Sequence, residues 1–173
     1  MRKCTLMVIS SSLAFLVKNL LQIGTIGNGC KLEHWSSTKS VNFFQDDTLT
    51  RNDYEPDICF WHAEKSKLSK PNQMQFPSPD LDVETLSDST EKIDRGIKFE
   101  DYAQHGIKEY WIIDAEKQLV EQYVLEGNNY LLKHRAHNHE IIFGQVLQGF
   151  NIPALAIFNN DENVRALREL LKP

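Results

Sequence analysis

From Met7 to Leu21 the apolar residues Ile9, Leu13, Phe15, Leu16, Leu20 and Leu21 lie mostly on one broad side of a helix, which Gly24 and Gly27 would end. Residues 28–54 are polar and rich in Ser, Thr and Asn, with apolar patches at Leu32 and at Val41, Phe43 and Phe44; two ragged strands joined by loops fit them. Within Pro56 to Trp61, the residues Ile58, Cys59, Phe60 and Trp61 form a continuous apolar run suited to a strand covered on both faces. The segment Lys65 to Pro79, with its lysines, prolines and alternating polar residues, reads as a surface loop.

Leu81 to Leu86 is a second buried-strand pattern. Ser87, Asp88, Ser89 and Thr90 then offer N-caps for one helix over Glu91 to Gln104, with Gly106 as its C-cap. Tyr110 to Ile113 is a third short strand closing at Asp114, and Val120–Leu125 with Tyr130–His134 form a hairpin around Gly127. Ile141, Ile142, Val146 and Leu147 are expected to continue the sheet. A last helix over 161–171 is expected to turn Val164, Leu167, Leu170 and Leu171 inward. The order of helix, strands, helix, strands, helix implies one mixed α/β domain over 1–173.

Composition narrows the function classes. The chain's 173 residues are enough to bury a core without disulfides, and 41% hydrophobic with 25% charged residues is ordinary for a soluble domain. A net charge of −5 argues against a DNA-coating protein, but not against an enzyme that grips a few phosphates. Cys4, Cys30 and Cys59 are odd in number and contain no CxxC pair, so neither a zinc site nor a disulfide framework is indicated, in keeping with a reducing cytoplasm. Arg2 and Lys3 before the apolar run Leu6–Val17 resemble a secretory leader, and a secreted protein with a cleaved leader is one reading. Ser10, Ser11, Ser12 and Lys18 favour the helix instead. No run reaches the roughly 20 apolar residues of a spanning helix.

Three polar residues stand where a core would prefer apolar ones: Asp57 at the head of a strand, Glu84 within Leu81–Leu86, and Lys98 on the following helix. A carboxylate in a buried strand is costly unless compensated, and a divalent cation is a good compensator for oxygen donors. Asp57 and Glu84 with the Thr85 carbonyl would form a one-sided cage, and a nearby lysine can orient or help deprotonate a water and offset phosphate charge. The structural alternative is a turn cap at Asp57, a paired Glu84, and an exposed Asp94–Lys98 helix pair.

The run "SPDLDVETLSDSTEKIDRGIKFEDYAQHGIKEYWIID" (Ser78–Asp114) resembles the Uma-two family of restriction-endonuclease-like proteins, within the PD-(D/E)XK nuclease superfamily. "YEPDICFW" (Tyr54–Trp61) is similar to that family's first acidic motif, and "LQGFNIP" with "AIFNNDENVRALRELL" resemble its closing strand and last helix. The resemblance implies a restriction-endonuclease-like mixed β-sheet flanked by helices, with a nuclease core over about 54–152. It implies catalytic roles for Asp57, Glu84 and Lys98 and an auxiliary role for Asp94. It also implies Mg²⁺ (or Mn²⁺) on Asp57, Glu84 and the Thr85 carbonyl. The implied reaction is hydrolysis of a DNA phosphodiester to a 5′-phosphate and a 3′-hydroxyl, by a cytoplasmic protein that is a homodimer by analogy with related folds.

The chain departs from the family pattern at several points. Leu86 stands where the superfamily usually has its lysine, which puts that role on Lys98, and Asp88 replaces a common proline. Asp82 occupies a position that is usually apolar. It shares a strand face with Glu84, as an extra ligand or as a liability through like-charge repulsion. By the same resemblance, the start is expected to lack a segment that family members usually carry before the first helix. Asp82 and that start motivate the alternative of a catalytically inactive nuclease fold used in DNA binding or assembly. Lys65, Lys67 and Lys70 are candidate phosphate contacts or solvated loop residues. His134, His137, His139 and Glu140 resemble a metal cluster but lack a completing ligand. Tyr102, Tyr110 and Trp111 read as core or rim aromatics.

Overall fold

The computed structural model describes residues 2–8, 30–36, 41–43, 53–54, 56–66 and 75–172. Its strands are β1 (Arg2–Val8), β2 (Cys30–Ser36), β3 (Val41–Phe43), β4 (Asp53–Tyr54), β5 (Ile58–Trp61), β6 (Gln75–Phe76), β7 (Leu81–Thr85), β8 (Glu109–Asp114), β9 (Leu119–Glu126), β10 (Asn129–His137), β11 (Ile141–Phe143) and β12 (Asn151–Pro153). The described helices are α1 (Ala63–Ser66), α2 (Glu91–Asp94), α3 (Ile97–Gln104), α4 (Leu155–Phe158) and α5 (Asn160–Leu170). The main sheet runs β10-β9-β8-β7-β5, with β1 and β2 pairing beyond β5. It is mixed, because β7–β8 and β1–β2 are parallel while the other neighbours are antiparallel. The protein is thus an α/β fold.

Period-two alternation separates two cores on opposite faces of this sheet. One holds Ile58, Phe60, Leu81, Val83, Trp111, Ile113, Val120 and Ala136, and is covered by Ala156, Ile157 and Ala166 of α4 and α5. The other holds Cys59, Trp61, Tyr110 and Ile112, covered by Tyr102 and Ala103 of α3. Asp82 and Glu84 alternate with Leu81 and Val83, so they face the second core. Both sheet faces are covered, which explains why β5 and β8 are buried along their whole length.

Several sequence expectations change. Of the helix expected over 7–21, Met7 and Val8 instead close β1, and the rest lies outside the described residues. The single helix expected over 91–104 is two, α2 and α3, divided at Arg95 and Gly96. Gly96 makes the break close-packed, because a Cβ there would sit 2.7 Å from the Lys92 carbonyl oxygen. Ile141 and Ile142 do not continue the main sheet but pair with β12 in a two-stranded ribbon, and Val146 and Leu147 lie in a loop. That loop is tied down by Glu109, whose carboxylate accepts from Val146 N at 2.8 Å and from Trp111 Nε1 at 2.7 Å.

The final helix starts on Asn159, whose side chain accepts from the Asp161 and Glu162 backbone N–H groups at 3.0 Å. Val164 and Leu171 are exposed on it, contrary to expectation. Ala166 and Asn163 face the core instead, the Asn163 amide donating to the Ala156 carbonyl at 2.8 Å. A small residue lets the helix approach the sheet more closely than valine would. Among the described residues, no helix is long and apolar enough to cross a membrane.

Candidate active site

Strand register brings the first two acids together. β5 and β7 pair Ile58 with Val83 and Cys59 with Asp82, so one step further along this register Asp57 stands opposite Glu84. Asp57 is near enough for its charge to add to the rise of the Glu84 and Asp82 carboxyls. Asp57 Oδ2 accepts the Thr85 N–H at 2.8 Å, which ties the head of β5 to the last residue of β7.

The helices supply the third group. Lys98, in the first turn of α3, places Nζ 2.8 Å from Glu84 Oε1 and 2.8 Å from Asp94 Oδ1. The Glu84 contact is a hydrogen bond. The Asp94 contact is off the hydrogen-bonding line and is an ion pair only. Asp94 and Lys98 are not the exposed helix pair that spacing allows, since their side chains are 1% and 11% exposed. Tyr102, one turn after Lys98, donates to the same Glu84 Oε1 at 2.9 Å. Behind it, the Tyr54 hydroxyl donates to Asp101 Oδ2 at 2.5 Å. Tyr102 therefore does more than fill the core. Its four-residue spacing from Lys98 was the signal, because i and i+4 share a helix face.

Burial pushes the Glu84 carboxyl up to about 7, against the pull of the Lys98 charge and hydrogen bond; Asp94 and Asp57 add to the rise. Burial also works against the charge on Lys98, but the Glu84 and Asp94 carboxylates outweigh it and hold the ammonium above its ordinary value. A lysine so held is a hydrogen-bond donor and a fixed positive charge. Of the three roles raised for it, orienting a water and offsetting phosphate charge suit a charged ammonium, whereas proton abstraction does not.

Asp82 shares the face of Glu84, fully buried. Burial, and then the charge of Glu84, hold its carboxyl well above the usual range. Its Oδ2 accepts from the Cys59 thiol at 3.2 Å, while Oδ1 has no hydrogen-bond partner among the described residues. Lys65 is already engaged, donating to the Ser78 carbonyl at 3.0 Å and pairing with Asp80 at 3.2 Å. Lys67 and Lys70 lie outside the described residues. The His134 ring lies 6.0 Å from that of Phe143, tilted by 56°, and the His137 backbone N–H donates to Glu140. Among the described residues, no three His, Cys, Asp or Glu side chains group into a ready-made metal cage.

The donor set still fits a hard cation. Glu84 Oε1 takes both Lys98 and Tyr102, and no described residue is bonded to Oε2. The buried Thr85 Oγ1 also has no hydrogen-bond partner among the described residues. Carboxylate oxygens from adjacent strands, with no sulfur or nitrogen donor required, are the donor type that Mg²⁺ or Mn²⁺ takes.

Comparison with known proteins agrees with this frame. The Uma2 family model, described as "Putative restriction endonuclease", matches residues 20–156. A crystal structure from Anabaena variabilis ATCC 29413, described as a "putative nuclease belonging to DUF820", superposes with a TM-score of 0.61 at 12% identity. The match covers 86% of this chain and 82% of that one, and shows a shared fold. No match is found among curated proteins.

Proposed function

The chain belongs to the Uma2 family, and on that footing we propose that it is a metal-dependent DNA endonuclease of the PD-(D/E)XK type. The observation that carries the reading is the buried Lys98 ammonium, held 2.8 Å from Glu84 on the sheet face where Asp57 stands opposite Glu84. A neutral core has no use for a charged cluster this deep, and its desolvation is costly.

In this proposal Asp57 and Glu84, with the Thr85 carbonyl, hold Mg²⁺, for which Mn²⁺ substitutes. When bound, the cation supplies an activated water and a polarised phosphoryl oxygen. Tyr102 and Lys98 both bond Glu84 Oε1 and so leave Oε2 for the cation. Lys98 places its positive charge where a non-bridging phosphate oxygen gains negative charge in the transition state. Asp94 fixes the ammonium from its other side. The water oxygen bonds to phosphorus and gives up a proton to solvent, the bond from phosphorus to the 3′ oxygen breaks, and that oxygen takes up a proton from solvent. A 5′-phosphate and a 3′-hydroxyl result. A cytoplasmic homodimer is part of the same proposal.

Incubation with supercoiled plasmid and Mg²⁺ or Mn²⁺ tests it, with Glu84→Ala and Lys98→Ala alongside. Nicking by the wild type and its loss in both variants is the expected result, and nicking unchanged in both would end the site assignment. DNA binding without any nicking would support the alternative, a catalytically silent nuclease fold, for which the buried Asp82 beside Glu84 is the structural motive.

A further inference from the structure

Register carries the row of site residues beyond the three already described. Glu84 pairs with Ile112 on β8, Ile112 with Glu121 on β9, and Glu121 with Arg135 on β10. Arg135 therefore shares the sheet face of Glu84, three strands away, or about 14 Å at the usual strand spacing. It reaches that face only through an irregularity. The β9–β10 register shifts between Leu132 and His134, so Lys133 is unpaired and Arg135, rather than His134, falls in step with Tyr130 and Leu132. Bulges commonly re-aim side chains near functional sites.

Glu121 is 3% exposed and holds two guanidinium groups. Arg95, from the break between α2 and α3, reaches its Oε2 at 2.5 Å. Arg135 engages Oε1 through Nε at 3.0 Å and Nη2 at 2.9 Å. Glu121 thus orients both guanidiniums, and Arg95 pairs as well with an exposed Glu91 at 3.0 Å. Arg135 is 60% exposed, and no described residue is bonded to its Nη1. Arg95 and Lys98 lie three residues apart, so adjacent positions of one helix junction seat one cation on Glu121 and another on Glu84.

We infer that Arg135, locked in orientation by Glu121 and backed by Arg95, is a contact for the phosphodiester backbone of the substrate strand. This rests on the DNA endonuclease reading above. The separation from Glu84 spans about four nucleotide steps of B-form DNA. A guanidinium fixed along one edge presents the other as a planar fork, the geometry that suits a phosphate. Arg135 is a positioning residue, distant from the reacting atoms.

The test is fluorescence anisotropy of the full chain on a labelled duplex in Ca²⁺ over a range of salt, together with plasmid nicking in Mg²⁺. Arg135→Gln should weaken binding about eightfold at 0.1 M salt, from a salt slope reduced by about 0.9. It should raise KM while leaving kcat near the wild-type value. Arg135→Lys should recover part of the affinity. Arg165→Gln, on α5 against the opposite sheet face, should change nothing. Wild-type binding and nicking matched by Arg135→Gln would overturn the contact and leave the nuclease reading intact. An equal loss in Arg165→Gln would also overturn it, by showing a diffuse charge effect. A wild type that neither binds nor nicks the duplex would overturn both.

Discussion

Lys98 Nζ lies 2.8 Å from Glu84 Oε1, and the second carboxylate on that ammonium, Asp94, is fully buried. Removing the lysine strands two buried acids. Lys98→Ala should therefore cost about 3–5 kcal/mol in urea unfolding and lower nicking by at least about 100-fold. The double variant Lys98→Met with Glu84→Gln should recover much of the stability but none of the activity. Recovery of activity with stability would reduce the pair to a structural ion pair.

Tyr102 donates to the same Glu84 oxygen at 2.9 Å. Tyr102→Phe removes a hydrogen bond that favours the charged form, so the Glu84 carboxyl should rise further. The acid limb of the pH–rate profile should move to higher pH, with a stability loss of about 1–3 kcal/mol. A profile that does not move would separate Tyr102 from the chemistry.

Burial, opposed by Lys98, leaves Glu84 at about 7 in the folded chain against an ordinary value of 4.5. Between those values the folded protein keeps a proton that the unfolded chain has released. Metal-free stability should therefore fall as pH rises from about 4.5 to about 7, then level off. A cation needs the ionised carboxylate, so Mg²⁺ should raise Tm more at pH 8 than at pH 6. Thermal scans in EDTA and in Mg²⁺ check this, and Glu84→Gln should flatten both trends.

Gly96 separates α2 from α3, and a Cβ there would lie 2.7 Å from the Lys92 carbonyl oxygen. Because backbone must move to make room, Gly96→Ala should cost about 1–3 kcal/mol. It should also displace Arg95 and Lys98 together. Loss of both stability and nicking is expected. An unchanged Tm would show that the junction tolerates a single continuous helix.

Asp82 is fully buried, with Oδ1 unpartnered among the described residues and only a thiol on Oδ2. Asp82→Val should raise stability by about 1–2 kcal/mol with nicking retained. A large loss of nicking would instead assign Asp82 a place on the cation.

The acids were legible early because they contradict their surroundings. A carboxylate amid Leu81, Val83 and Leu86 signals a compensated charge in any fold that buries the strand. The basic partners were less legible. Lys98 was assigned through family resemblance, and the Arg95–Glu121–Arg135 cluster left no local pattern, because its members are separated by 26 and 14 residues. Val164 and Leu171 misled for a different reason. Helical periodicity marks an apolar stripe but not how close the sheet comes, and α5 docks through Ala166 and Asn163.

Whatever depends on neighbours along the chain was determined by the sequence itself. Alternation in β7 puts Asp82 and Glu84 on one face, Asn159 caps the final helix, and Gly106 and Gly127 take the positive φ values of 71° and 62° at their turns. Strand parity, capping and turn conformation are local, so they can be read from residue order. Whatever depends on register between distant segments was decided by the tertiary structure alone. The β5–β7 pairing sets Asp57 opposite Glu84, the break at Gly96 aims Lys98 and Arg95, and the bulge at Lys133 turns Arg135 to the site face. Shifting a strand by one residue reverses every side chain on it, so the position of each charge was settled only when both cores were packed.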